Sequence, residues 1–165
     1  MLIGPAGAGK TTFAATHFEP DEILSSDAFR AIVSGDEADQ NATRAAFSIL
    51  HREVTKRLAA RRMTVVDATN VEVHARRALL ARARVADIPA VAIVFDLPPH
   101  VVHARNLART SRVVEPTVVS VHLALLRRAV QRGLLDSEGF TAIHRLRSQA
   151  EFDLVRIERR PGPMQ

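Results

Sequence analysis

Lys10 and Thr11 stand at the end of "GPAGAGKT", a run in which small residues precede a cation and a hydroxyl. Residues Gly4, Pro5, Ala6, Gly7, Ala8, Gly9, Lys10 and Thr11 match G-x4-G-K-[ST] at every fixed position, with two extra small residues inside the variable part. Glycines let successive backbone N–H groups turn inward around a phosphate, and a helix starting at the end of such a loop presents its positive end to the same anion. Lys10 reaches toward terminal phosphates and the Thr11 hydroxyl is a Mg²⁺ ligand in this pattern. Thr12 follows as a further contact for ATP. The alternative, a plain Gly/Ala turn between strand and helix, accounts poorly for the Lys-Thr pair. The loop is expected to bind a nucleoside triphosphate.

Other residues must decide what is done with it. In "SSDAFR", Asp27 follows a short apolar run and faces the edge of the sheet where α/β folds bind ligands. Its carboxylate could take the proton of an attacking hydroxyl. Arg30, one helical turn on, could hold an anionic group beside it; an Asp N-cap followed by a surface Arg is the plainer alternative. Asp67 ends the apolar run "TVVDATN" as a carboxylate that holds a Mg²⁺-bound water would, with Asn70 just beyond. In "HARNLARTSR", Arg105, Arg109 and Arg112 are spaced by four and three. A helix puts the first two on one face, and a mobile helical lid would bring them to a transferring phosphoryl group, with Arg109 also touching ATP. A solvated basic face is the alternative. His100 and His103 have no acidic neighbour nearby in sequence and read as surface residues rather than metal ligands.

The elements that would position these groups alternate between strand-like and helical runs, the pattern of an α/β parallel sheet sandwiched by helices. Strands are expected at Met1–Ile3, Glu22–Ser26, Met63–Asn70, Ala90–Leu97 and Phe140–Leu146, with "FDLVRIE" (Phe152–Glu158) as a candidate sixth. Helices follow the loop to about Phe18, then run from Asp27 to Val33 and onward from Thr43 with Phe47, Leu50, Val54 and Leu58 on one face. Further helices span Glu72–Ala86, begin at Pro98 and Pro99, and begin at Pro116 with Val119, Leu123, Leu126 and Val130 inward. The lid is expected at about 99–118. Residues 34–43 form a polar, acidic loop, and one domain over 1–160 is expected, with 161–165 as a tail or linker.

Composition narrows the function classes. A chain of 165 residues is long enough for one domain with a real core. No run approaches the roughly 18 apolar residues of a membrane span. The absence of Cys excludes disulfides and thiolate metal sites and fits a reducing cytoplasm. A net charge of +5 suits a polyanionic partner, although Arg outnumbers Lys 21 to 2 and much of that charge reads equally as solvated helix surface. With no Trp or Tyr and only seven Phe, any nucleic-acid contact would lean on Arg and phosphate rather than stacking.

Taken together, "LIGPAGAGKTTFA", "ILSSDAFRAIVSGDEADQ", "AAFSILH", "KRLAARRMTVVDATNV", "AVAIVFDLP", "RNLARTSRVVE" and "EGF" resemble the kinase module of bacterial polynucleotide kinase-phosphatase, a P-loop 5′-hydroxyl kinase of RNA repair. The string S-S-D-x-x-R followed by the acidic "DE-x-DQ" is more specific than the loop alone. P-loop kinases of small hydroxylated metabolites and zeta-type toxin kinases share the loop and often an Asp/Arg pair, with less overall likeness. The resemblance implies a P-loop kinase fold and transfer of the ATP γ-phosphate, with Mg²⁺, to a 5′-hydroxyl end of RNA or DNA. It implies Asp27 as general base, Arg30 on the acceptor's neighbouring phosphate, Arg105 on the transferring group and Arg112 in support. In that family phosphatase and ligase modules usually follow the kinase, and the first strand extends upstream of the loop. The three-residue lead-in here therefore carries the expectation that Met1 is not the natural start and that the chain is a stand-alone kinase, an excised domain or part of a split protein. An inert ATP-binding module is the non-enzymatic alternative.

Overall fold

The computed structural model describes residues 1–34, 43–110 and 112–158. The acidic "DE-x-DQ" stretch and the tail 161–165 lie outside the described residues. Among the described residues five short strands, β1 (Leu2–Ile3), β2 (Ile23–Ser25), β3 (Val65–Asp67), β4 (Val91–Phe95) and β5 (Ala142–Leu146), all pair in parallel. They form two ladders, β2-β3 and β1-β4-β5. The ladders meet where the Gly4 N–H donates to the Thr69 carbonyl at 2.9 Å and the Asn70 side-chain amide donates to the Leu2 carbonyl at 2.8 Å. Asn70, read from sequence only as a neighbour of the metal carboxylate, is thus a buried stitch with a left-handed backbone, φ 49°.

Alternation along the strands decides which helices can cover them. In β4, Ile93 and Phe95 point to the face covered by α1 (Lys10–His17) and by Phe152 of α7 (Gln149–Leu154). Ala92 and Val94 point to the other face, against Leu126 and Ala129 of α6 (Pro116–Gln131). Leu24 and Val66 extend that packing to α3 (Thr43–Ala59) and α4 (Val73–Val85). Strands buried on both faces are near-continuous apolar runs, as "TVV" and "AVAIVF" are. On α3 the buried seam is Ala46, Leu50, Val54 and Leu58; Phe47 is only half-buried because it borders the cleft described below. No helix among the described residues is long and apolar enough to cross a membrane.

The strand expected over Phe152–Glu158 is instead the second half of a helix and an extended tail. Ser148 caps α7 by accepting from the Glu151 N–H at 3.2 Å, and Glu151 accepts from the Arg147 N–H at 2.6 Å. Phe152 then drops onto Phe13 and Phe95 in edge-on contacts at 6.3 and 5.2 Å between ring centroids. A capped turn plus an aromatic anchor outweighs the strand-like alternation of "FDLVRIE".

A buried ion pair fixes the loop after β3. Arg76 of α4 is fully buried and holds Glu138 through two bonds of 2.6 Å, while its Nη1 donates to the carbonyls of Asn70 and Val71 at 3.0 and 2.7 Å. One guanidinium therefore ties the 70–71 segment to the turn before β5. Removing one member leaves the other charged and buried, a loss of about 3–5 kcal/mol. Glu138→Ala is expected to lower unfolding stability by that amount, read as the shift of a urea midpoint; an unchanged midpoint would show that the pair does not hold this loop.

Candidate active site

The loop from Gly4 to Gly9 wraps back on itself before α1 begins. Gly7 and Gly9 have φ of 81° and 90°, which side chains with a Cβ rarely adopt. At Gly7 a Cβ would also lie 2.5 Å from the Val102 carbonyl of α5 (Pro99–Leu107). The close approach of loop and helix thus requires glycine there.

Lys10 is the first residue of α1, and its ammonium donates to the Pro5 carbonyl across the loop at 2.9 Å. Burial pushes its pKa down to about 8, against the attraction of Asp67 and Asp27. The Thr11 hydroxyl donates to the Asp67 carboxylate at 2.8 Å. Asp67 sits at the end of β3, and burial raises its pKa while Lys10 and Thr11 oppose the rise. A hydroxyl and a carboxylate are hard oxygen donors, a set that fits Mg²⁺ completed by phosphate oxygens and waters.

Asp27 lies one residue inside α2 (Ser26–Ser34) rather than at the end of β2. It is not the cap of that helix: the Ser25 hydroxyl accepts from the Ala28 N–H at 3.4 Å. The Asp27 carboxylate meets Arg30 at 2.6 Å and Arg109 at 4.0 Å, so guanidiniums from two separate elements converge on it. Arg30 is 8% exposed, which sets it apart from the solvated surface arginines of this chain.

The three arginines of "RNLARTSR" reach the same cleft by a route the spacing did not predict. Helix α5 stops at Leu107, so Arg109 and Arg112 belong to the connection into α6 rather than to the face that carries Arg105. Helix α5 is anchored in this arrangement by Val102 and Asn106, both fully buried. The Asn106 side chain clamps the returning connection, donating to the Val114 carbonyl at 2.7 Å and accepting from the Val114 N–H at 3.2 Å. Arg105 donates to the Gln149 side chain at 3.0 Å, at the edge of the loop.

All of these groups open on one cleft of about 1020 Å³. Lys10, Thr11 and Thr12 lie at its base with Asp67, while Asp27 and Arg30 come from α2 and the three arginines come from the 105–112 stretch. Gly7, Gly9 and Ala6 line it, whereas Gly4, Pro5 and Ala8 are buried behind it and shape the loop. His100 is exposed and His103 faces Ser120 at 3.3 Å, both away from these groups. Sequence reading missed His122, Gln149, Phe152 and Arg156, which also line the cleft. Only the capped start of α7 could have flagged the last three; nothing in the local sequence singled out His122.

The comparisons with known proteins bear on this geometry. No match was found among curated proteins. Solved structures with the same fold include a gluconokinase from Sinorhizobium meliloti 1021, with a TM-score of 0.52, 17% identity, and coverage of 90% of this chain and 81% of that one. Another is a shikimate kinase from Acinetobacter baumannii in complex with shikimate, with a TM-score of 0.52, 21% identity, and coverage of 93% and 86%. The architecture is therefore the α/β P-loop kinase fold, a parallel sheet flanked by helices. Neither neighbour is a polynucleotide kinase, so the finer resemblance seen in the sequence gains no support from them. The family model described as "AAA domain" matches residues 1–132, and the chain belongs to that family.

Proposed function

We propose that this protein transfers the γ-phosphate of ATP to a hydroxyl group of a small anionic metabolite. The observation that supports this most is the convergence of Lys10 and Asp27 on one cleft, with Arg30 buried beside the carboxylate. A phosphate chain seated in the Gly4–Gly9 loop would meet backbone N–H groups, the start of α1 and the Lys10 ammonium. Mg²⁺, held through Thr11 and Asp67, neutralises charge on the phosphates when bound.

The proposed chemistry is a single displacement. The acceptor hydroxyl gives its proton to the Asp27 carboxylate as its oxygen bonds to the γ-phosphorus. The bond from the γ-phosphorus to the bridging oxygen breaks, and ADP leaves with that electron pair. Arg105, Arg109 and Arg112 line the same cleft, and in this reading their guanidiniums would stabilise the charge that spreads over the transferring group. Arg30 holds an anionic group of the acceptor close to Asp27. Positioning and electrostatics supply nearly all of the catalysis in such reactions.

A small acceptor is favoured because solved structures with this fold include a gluconokinase and a shikimate kinase. A second reading keeps the 5′-hydroxyl end of RNA or DNA as acceptor, in a protein that works with phosphatase and ligase modules. It rests on the S-S-D-x-x-R string and on the additional guanidinium of Arg156 in the cleft. One experiment separates the two: γ-labelled ATP is offered with gluconate, shikimate and 5′-hydroxyl oligonucleotides in parallel. Label on a small hydroxy acid supports the first reading. Label on an oligonucleotide end overturns it in favour of the second, and ATP binding without any transfer leaves an inert nucleotide binder.

Two substitutions test the assigned roles. Asp27→Ala is expected to lower kcat by about 10²–10⁴-fold while ATP binding persists; normal turnover would reduce Asp27 to a partner for arginines. Arg105→Ala is expected to lower kcat more than it weakens ATP, since charge stabilisation acts mainly in the transition state. Equal losses would assign Arg105 to ground-state binding.

A further inference from the structure

β3 and the segment that follows it have α3 on one side and α6 on the other. Val66 and Ala68 pack with Leu50 and Val54 of α3, and Val71 packs with Leu126 of α6. Two α6 side chains one turn apart, Val118 and His122, line the same cleft as Phe47 of α3. The buried side of α6, Val119, Leu126 and Ala129, fixes the helix so that His122 has little freedom to turn away.

The Nδ1 atom of His122 is buried and has no hydrogen-bond partner among the described residues. With Nδ1 in the wall, the edge of the ring left to meet the cleft is Nε2. An orphaned N–H is harder to tolerate than an orphaned lone pair, so the proton of a neutral imidazole belongs on Nε2. Burial and the Lys10 ammonium lower the pKa of this histidine, with Glu72 opposing, which favours the neutral ring.

We infer that His122 is an acceptor-recognition residue: its Nε2–H donates to an oxygen of the acceptor other than the reacting hydroxyl. The inference rests on the kinase reading above and deepens it, since it asks for an acceptor with at least two oxygens, one near Asp27 and another near α6. A polyhydroxylated acid or sugar has this chemistry, and a simple alcohol does not. His122 complements Arg30: the guanidinium fixes charge, and the imidazole distinguishes the position of a hydroxyl or carboxylate oxygen.

The test uses the full chain and whichever of gluconate, shikimate or the 5′-hydroxyl oligonucleotide the wild type phosphorylates. His122→Phe fills the same space without a donor and is expected to raise KM for that acceptor about tenfold, with KM for ATP within about twofold of wild type. Gln places an amide nitrogen near Nε2, and Asn places one near Nδ1. His122→Gln should therefore recover most of the acceptor affinity and His122→Asn should not. An unchanged acceptor KM in His122→Phe, or equal rises for acceptor and ATP, overturns the assignment. Long-range ¹H–¹⁵N spectra of the wild type provide an independent arm, expected to show the neutral Nε2–H form of His122 at pH 7. A protonated ring or the Nδ1–H form overturns the proposal without touching the kinase reading. A wild type that phosphorylates none of the three probes overturns both, and is recognised because the parent rather than the variant is silent.

Discussion

The constraint on which this structure turns is a positive charge kept out of water. Lys10 is 8% exposed, and among the described residues its ammonium has one carbonyl, that of Pro5, as a hydrogen-bond partner. Depressing its pKa from 10.5 to about 8 corresponds to a cost to folding of order 3 kcal/mol at neutral pH. The sign follows from the direction: the penalty is full below about pH 8 and disappears as pH rises past 10.5. The fold carries that cost at the foot of the glycine loop, at the start of a helix with no acidic residue in its first turn. An anion is the partner that would offset it.

Much of the remaining architecture holds that arrangement in place. Gly7 allows α5 to press directly on the loop, and Asn106 of the same helix clamps the returning chain at Val114, which delivers Arg109 and Arg112 to the cleft. Asn70 and Arg76 secure the segment after Asp67 from the other direction, one to β1 and one to Glu138. These contacts join residues far apart in the chain and tie the base of the cleft together. Its arginines, by contrast, come from separate elements, and Asp27 draws together guanidiniums from α2 and from the 108–115 connection.

The sequence was most legible where chemistry is local. The loop is a contiguous string whose glycines answer to backbone angles, and α3 was readable because Leu50, Val54 and Leu58 repeat at helical spacing. Asp27 and Asp67 were readable from their place after apolar runs, although the helix start moved Asp27 off the strand end. Less legible were contacts that depend on tertiary approach. Nothing near Arg76 in sequence points to Glu138, 62 residues on. Arg109 fits the face of an extended α5, but the Asn106 clamp ends the helix first. Periodicity in "FDLVRIE" competes with a Ser cap and a phenyl anchor, and seven residues are too few for it to prevail. His122 looks like any polar residue on an amphipathic helix; its significance comes from an orphaned atom visible only in three dimensions.

The most direct measurement of the central claim is the proton balance of ATP binding. Calorimetry at pH 8.5 in two buffers of different ionisation enthalpy counts the protons exchanged, and ATP phosphates are already fully ionised there. If the buried Lys10 waits for an anion, the phosphate chain raises its pKa from about 8, and binding takes up a sizeable fraction of a proton. That uptake should vanish in Lys10→Met, and wild-type affinity should weaken as pH climbs from 7 to 9. Binding with no proton uptake, or with uptake that survives in Lys10→Met, would contradict the account.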